Sequence, residues 1–300
     1  MGRRVVVLGG SGFVGSRVVD LWRQAAGEVS APSHAELDVL DSGQLAGFLE
    51  ANQAEAVLNC AAWADVDAAE AEVGDRSGRV YRLNAAFPAD LAARCRALGV
   101  HLVHISTDYV FDGQSVERAY REDDPVQPLG WYAATKVEGE RLVQEANPSA
   151  CIARIEMPFS GLDLPKRDVA RIFHTRLAAG QSVVGVVDQK ITPLFLDDAA
   201  RALRMLIEAR HEGLIHVAST THTTPYEYAH AIAARLGLNT ELILAQTLAQ
   251  FGGSRPAPRP QHSWLDVSRF EQQYGPGILR TVEAELDSFV EQRLAVAGRA

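Results

Sequence analysis

The chain reads as an α/β protein organised on a parallel sheet with helices on both faces. Three observations predict this. Short apolar runs rich in β-branched residues, suited to strands buried on both faces, recur at residues 4–8, 54–60, 100–105 and 151–155. Helical stretches stand between them, at residues 16–24, 42–51 and 80–98. The first strand passes directly into a glycine-rich turn and then a helix, the order of a βα unit that can seat a phosphate on free N–H groups.

Composition narrows the field. Three hundred residues suffice for one large or two smaller domains, and 47% hydrophobic with 22% charged residues is ordinary for a soluble globular chain. A net charge of −9 argues against nucleic acid as a partner. Cys60, Cys95 and Cys151 are too few and too scattered for a disulfide framework or a metal site. His101 and His104 are three apart on one strand, so they face opposite sides and share no metal. No apolar run reaches membrane length, and the first strand begins at Arg3, so no membrane and a cytoplasmic location are expected.

Arg4-Val5-Val6-Val7-Leu8 runs into Gly9-Gly10-Ser11-Gly12-Phe13-Val14-Gly15 and the helix at 16–24. The turn satisfies GxGxxG from Gly10, and its place after strand one makes it a dinucleotide site rather than a plain tight turn. Gly9, Gly12, Phe13, Val14 and Gly15 are therefore expected at the cofactor. The second strand, 28–31, ends in Ala31-Pro32-Ser33-His34, with no acidic residue to repel a ribose 2′-phosphate. Ser33, His34 or Arg17 would favour one, which points to NADPH with NADH also admitted. Asp38 and Val39 follow and are expected near the cofactor.

The third strand ends in Asn59-Cys60-Ala61-Ala62-Trp63, where small residues let a cofactor lie against the backbone. Ala61 and Ala62 are assigned that contact. The acidic stretch 65–72 reads as a solvated helix face. Asn84, in the helix at 80–98, is either a surface residue or a brace for the neighbouring site. The fourth strand leads into Ser106-Thr107-Asp108-Tyr109-Val110-Phe111, at the carboxyl edge where open α/β sheets bind ligands. Residues 112–130 are long enough to face a substrate.

Tyr132 and Lys136 carry the chemistry. On a helix, residues four apart lie on one face, so a phenol and an ammonium share one space. A nearby cation favours the ionised phenol, whose free pKa is ~10, which suits a general acid working on a developing alkoxide. A surface Tyr beside a surface Lys is the plainer alternative.

Together the glycine turn, Asn59-Cys60-Ala61-Ala62, Ser106-Thr107-Asp108-Tyr109-Val110-Phe111-Asp112-Gly113 and Tyr132-xxx-Lys136 resemble an extended short-chain dehydrogenase/reductase. The likeness is greatest to the dTDP-4-dehydrorhamnose reductase family, over residues 4 to about 270. It implies a doubly wound Rossmann sheet with a smaller C-terminal substrate-binding lobe. Residues 1–160, joined by 191–220, would form the dinucleotide-binding domain, and 161–190 with 221–300 the lobe. It also implies Thr107, Tyr132 and Lys136 as a catalytic triad, with Tyr132 and Lys136 also at the cofactor.

Where that family shows Arg-Thr-x-Trp-x-Tyr, this chain has Arg154-Ile155-Glu156-Met157-Pro158-Phe159. Met157 thus replaces a pocket Trp. Asp188-Gln189-Lys190-Ile191-Thr192-Pro193-Leu194 is similar to the family's DQxGxPT, with Ile191 and Leu194 departing. Arg255 to Asp266 resembles its RPxxSxLD. Arg255 and Arg259 either clamp a diphosphate by charge-assisted bonds or belong to a plain surface loop. Asp108, Tyr109, Met157, Arg255 and Arg259 are the expected substrate contacts.

The expected activity is NAD(P)H-dependent reduction of a keto group on a nucleotide-activated deoxysugar; a homodimer is admitted. Two rivals share the scaffold: a sugar-nucleotide epimerase or dehydratase, and a non-catalytic cofactor-binding regulatory subunit. Dehydratases of this group place Thr-Asp-Glu where this chain has Thr107-Asp108-Tyr109, which favours simple reduction.

Overall fold

The computed structural model describes residues 4–25, 27–253 and 255–298. Six strands form one parallel sheet: β1 Val5–Leu8, β2 Val29–Ser30, β3 Ala56–Asn59, β4 His101–Thr107, β5 Cys151–Ile155 and β9 Gly213–Val217. Their spatial order is β2-β1-β3-β4-β5-β9. The chain leaves β1 for one side, then crosses to the other to form β3. This reversal is the topological switch point of a doubly wound sheet, and it lies between β1 and β3.

The strands alternate their side chains between two cores, as a pleat requires. Val5, Val7, Ala56, Leu58, Val103, Cys151 and Ala153 point into one, against the helices Phe13–Gln24 and Leu196–Glu208. Val6, Leu8, Val57, Leu102 and Ile152 point into the other, against Ser42–Ala51, Phe87–Leu98 and Trp131–Ala146. Both faces are dry, which is why these strands read as continuous apolar runs.

A third apolar cluster is built from later segments. Phe159, Phe173, Phe195, Tyr228, Leu286 and Phe289 meet there. Two small parallel pairs accompany it: β6 Pro158–Phe159 with β8 Leu194–Phe195, and β7 Val183–Val186 with β10 Ile243–Gln246. Segments either side of the β9 strand therefore share one core, as a second lobe needs.

Several boundaries differ from expectation. The first helix starts at Phe13 rather than Ser16, because the turn is complete at Gly12. The single helix read at 80–98 is a short α segment, a π-helical stretch over Arg82–Ala86, and Phe87–Leu98. The strand read at 100–105 runs on to Thr107, which sets the Thr hydroxyl at the sheet edge. Among the described residues no helix is long and apolar enough to cross a membrane.

Candidate active site

The glycine turn lies at the switch point. Gly9 adopts φ +75°, and a Cβ there would stand 2.7 Å from the Ala61 nitrogen; a Cβ on Gly15 would stand 2.3 Å from the Gly9 oxygen. Gly12 caps the helix Phe13–Gln24 without a side chain, so the helix's first N–H groups are left for a ligand. Ala61 and Ala62 follow β3 directly beside the turn. This cradle fits a dinucleotide pyrophosphate.

The adenosine end is less as expected. Arg17 is engaged by Asp197 at 2.6 and 2.7 Å, so it is not free for a 2′-phosphate. Ser33 and His34 are exposed, and the Ser33 N–H donates to the Glu36 carboxylate at 2.7 Å. A carboxylate therefore does return to the end of the second strand, from Glu36 just beyond residues 31–35. Asp38 is exposed and accepts from the Leu40 N–H at 2.9 Å, while Val39 packs against the second core.

Thr107, Tyr132 and Lys136 converge at the carboxyl edge of β4. Lys136 is 2% exposed, and its Nζ donates to the Ile105 carbonyl at 2.7 Å, with His104 Nε2 at 3.4 Å. Burial brings the amine down to about 8. Tyr132 is half-buried, set edge-on to Tyr109 with ring centres 6.1 Å apart. Burial pushes its phenol up to about 12, against a lowering contribution from the Thr107 hydroxyl. The expectation that Lys136 lowers the Tyr132 pKa is therefore not met in the free protein: desolvation raises the phenol, and the amine turns to a backbone carbonyl instead. A neutral phenol at pH 7 is still a competent proton donor.

Thr107 donates to the Asp108 carboxyl at 2.9 Å and accepts from the Tyr109 N–H at 3.2 Å. Asp108 is buried, and desolvation together with the nearby Glu156 raises its carboxyl well above the usual range. Tyr109 and Tyr132 line a cleft with Val66, Leu129, Pro258 and Pro260.

Arg255 and Arg259 belong to the segment that supplies Pro258 and Pro260 to this cleft, and neither is free. Both engage Asp67: Arg259 through two nitrogens at 2.9 Å each, Arg255 at 3.3 Å, with the Ala257 N–H adding a bond at 3.2 Å. These bonds hold the Asp67 carboxyl below its ordinary range. They also pin residues 255–259 to the segment after β3. Met157 has φ +39°, a left-handed conformation unusual for a side chain with a Cβ, and packs against the third apolar cluster.

Four functional neighbours were missed in the sequence. Asp67 and Glu70 lie in the stretch read as a solvated face, yet Glu70 accepts from the Trp131 N–H at 2.7 Å and so caps the helix that carries the Tyr/Lys pair. Helical periodicity exposes such residues and says nothing of a distant partner. Glu156 is 1% exposed and accepts from the Thr192 N–H at 2.8 Å, the Thr192 hydroxyl and the Ser263 hydroxyl. Burial pushes it up to about 7. Asn59 contacts His104, as taken up below. Asn84 proves to be a brace: it pairs with both the N–H and carbonyl of Trp63 and donates to Thr135 at 3.1 Å.

A phosphate cradle at the switch point and a Thr-Tyr-Lys group beside it define an oxidoreductase of the short-chain dehydrogenase/reductase type. A family model described as the RmlD substrate binding domain matches residues 3–294. The chain belongs to that family. The dTDP-4-dehydrorhamnose reductase of Streptomyces griseus is 35% identical over 282 residues, covering 89% of this chain and 87% of that one. A probable dTDP-4,6-dihydroxy-2-methyloxan-3-one 4-ketoreductase of Streptomyces antibioticus is 32% identical over 271 residues, covering 89% and 88%. The crystal structure of a dTDP-4-dehydrorhamnose reductase from Clostridium acetobutylicum matches with a TM-score of 0.86 at 27% identity, covering 96% and 98%.

Proposed function

We propose that this chain uses NADPH to reduce the 4-keto group of a nucleotide-activated 6-deoxyhexose, of the thymidine-diphosphate type its relatives are named for. The observation that carries the reading is the convergence of Thr107, Tyr132 and Lys136 beside a glycine cradle no Cβ would fit. When bound, the cofactor supplies the hydride. Thr107 holds the carbonyl oxygen, and Tyr132 gives it a proton as negative charge develops. Lys136, on the same helix face, stabilises the phenolate left behind.

Arg255 and Arg259 are proposed to take the diphosphate in exchange for Asp67. The cytoplasm is the compartment this reading implies, and mass measurement in solution decides between monomer and homodimer. The test is NADPH consumption across a panel of nucleotide 4-keto-deoxysugars. Turnover with none of them, or purified protein carrying tightly held oxidised cofactor, would favour the epimerase or regulatory-subunit reading.

A further inference from the structure

Behind the Lys136 amine lies a buried polar pair that the reaction as described does not use. Asn59 and His104 are direct neighbours in register on β3 and β4, each 1% exposed. The Asn59 Oδ1 accepts from the Ala61 N–H at 3.0 Å. That bond fixes which end of the amide is which, because a backbone N–H cannot donate to an NH2 group. The Asn59 Nδ2 therefore faces His104 Nδ1, at 3.0 Å, as the donor.

The consequence passes through the ring. An imidazole whose Nδ1 accepts must carry its proton on Nε2 when neutral. Burial and the neighbouring amine hold His104 well below its ordinary pKa, so the neutral ring is the form present. Its Nε2–H then points at Lys136 Nζ, 3.4 Å away. An ammonium has three donors and no acceptor, so this contact offers it nothing. Among the described residues, the Ile105 carbonyl at 2.7 Å is the one acceptor the neighbouring backbone and ring supply. The other groups facing the amine are Cys60 after β3, Glu140 one turn on, and Tyr132 one turn back. Glu140 is already held by Arg154 at 2.9 and 2.7 Å, and the Cys60 thiol is pushed up to about 12 by burial.

We propose that Asn59 and His104 are positioning residues that govern the charge of Lys136: Asn59 locks the ring so that His104 turns an N–H, not a lone pair, toward the amine. In the free protein burial lowers the amine's pKa, and a ring that offers it no lone pair leaves that lowering unopposed. Acceptors brought by a bound dinucleotide complete the ammonium, so cofactor binding near pH 8 takes up a fraction of a proton, at most about one half per site, from solvent. Above pH 8 the active site would hold most of its positive charge only when loaded. This rests on the reading of Lys136 given above, but its test needs no turnover.

Only Lys136, Lys166 and Lys190 occur in the sequence, so the lysine ε-carbon resonances can be followed one by one through a pH titration of the free protein. The wild type should titrate at Lys136 near 8. Nitrogen NMR should show His104 as the neutral Nε2–H tautomer across that range. Asn59→Ala releases the ring to turn its lone pair to the ammonium, and the Lys136 midpoint should rise by at least about one pH unit. His104→Gln keeps an acceptor toward Asn59 and a donor toward Lys136, and should retain the wild-type midpoint. Calorimetric titration of NADP+ in two buffers of different ionisation enthalpy should show proton uptake in wild type and less in Asn59→Ala. An Nδ1–H or doubly protonated His104 in the wild type overturns the proposal, as does an unmoved Lys136 midpoint in Asn59→Ala. Should Asn59→Ala not fold, the wild-type tautomer and the His104→Gln midpoint still decide it. Failure to reduce any keto sugar would count against the proposed activity and leave these measurements standing.

Discussion

Gly139 lies so close to the Asn84 carbonyl that a Cβ on it would stand 2.1 Å from the oxygen. The contact joins the helix Trp131–Ala146 to the π-helical stretch Arg82–Ala86, one turn from Lys136. No side-chain rotation relieves it, since the obstacle is backbone. Gly139→Ala should destabilise the fold by about 1–3 kcal/mol, as overpacking does. Urea unfolding would show it. An unchanged midpoint would mean that the two helices separate at little cost, and that the Tyr/Lys pair is held by other contacts.

Tyr132→Phe removes the proton donor and little else. Turnover should fall by ~10²–10⁴-fold while cofactor affinity stays near native. Steady-state kinetics paired with a cofactor-binding titration separates the two, and near-native turnover would sink the proton-transfer role.

Glu156 supplies a pH dependence whose sign can be worked out. Its folded pKa, about 7, is above its ordinary 4.5, so between these values the folded protein binds the extra proton. Stability from this group therefore falls as pH rises from 4.5 to 7, by at most ~3 kcal/mol. Glu156→Gln should flatten that slope. Unfolding free energies at pH 5 and pH 7 for both proteins are the measurement, and parallel slopes would remove Glu156 from the account.

Glu36 offers a test of cofactor choice. NADPH should be used at least as well as NADH, because no acidic residue occupies 31–35. Glu36 nonetheless returns to the Ser33 N–H, and removing it should raise the NADPH-to-NADH ratio of kcat/KM by about two- to fivefold, the scale of exposed charge contacts. A native preference for NADH would show that this carboxylate dominates the choice.

Met157 stands where the family carries a Trp. A Trp offers a rigid wall and one N–H donor, whereas Met is flexible and almost without hydrogen-bonding capacity. The wild type should handle dTDP-4-dehydrorhamnose poorly beside less hydroxylated 4-keto sugars, since polar matching discriminates best. Met157→Trp should narrow the gap. If the rhamnose precursor is the best substrate of the wild type, the departure carries no specificity.

What could be read in the sequence was whatever local pattern encodes. The glycine turn, the buried strands and the four-residue spacing of Tyr132 and Lys136 each follow from steric or periodic rules that act within a few residues. The residues missed are those whose role depends on a distant partner. Asp67 reads as one more surface carboxylate until Arg259, 192 positions away, is brought to it. Glu156 reads as a strand-end residue until Thr192 and Ser263 cover it. The direction of the Tyr132 shift was misjudged for the same reason: sequence supplies the neighbouring charge but not the burial that opposes it.

The Asp67 cluster has a consequence for the newborn chain. The glycine turn, Thr107 and the Tyr/Lys helix are all synthesised before residue 147, but the cleft wall they face comes from residues 255–260. At ordinary elongation rates of ~5–20 residues per second, roughly 5–20 s pass between the two. During that interval the arginines that hold Asp67 and the prolines that line the cleft are not yet made. Synthesis thus delivers the glycine turn and the Tyr/Lys helix first and the opposite wall of the cleft well after them.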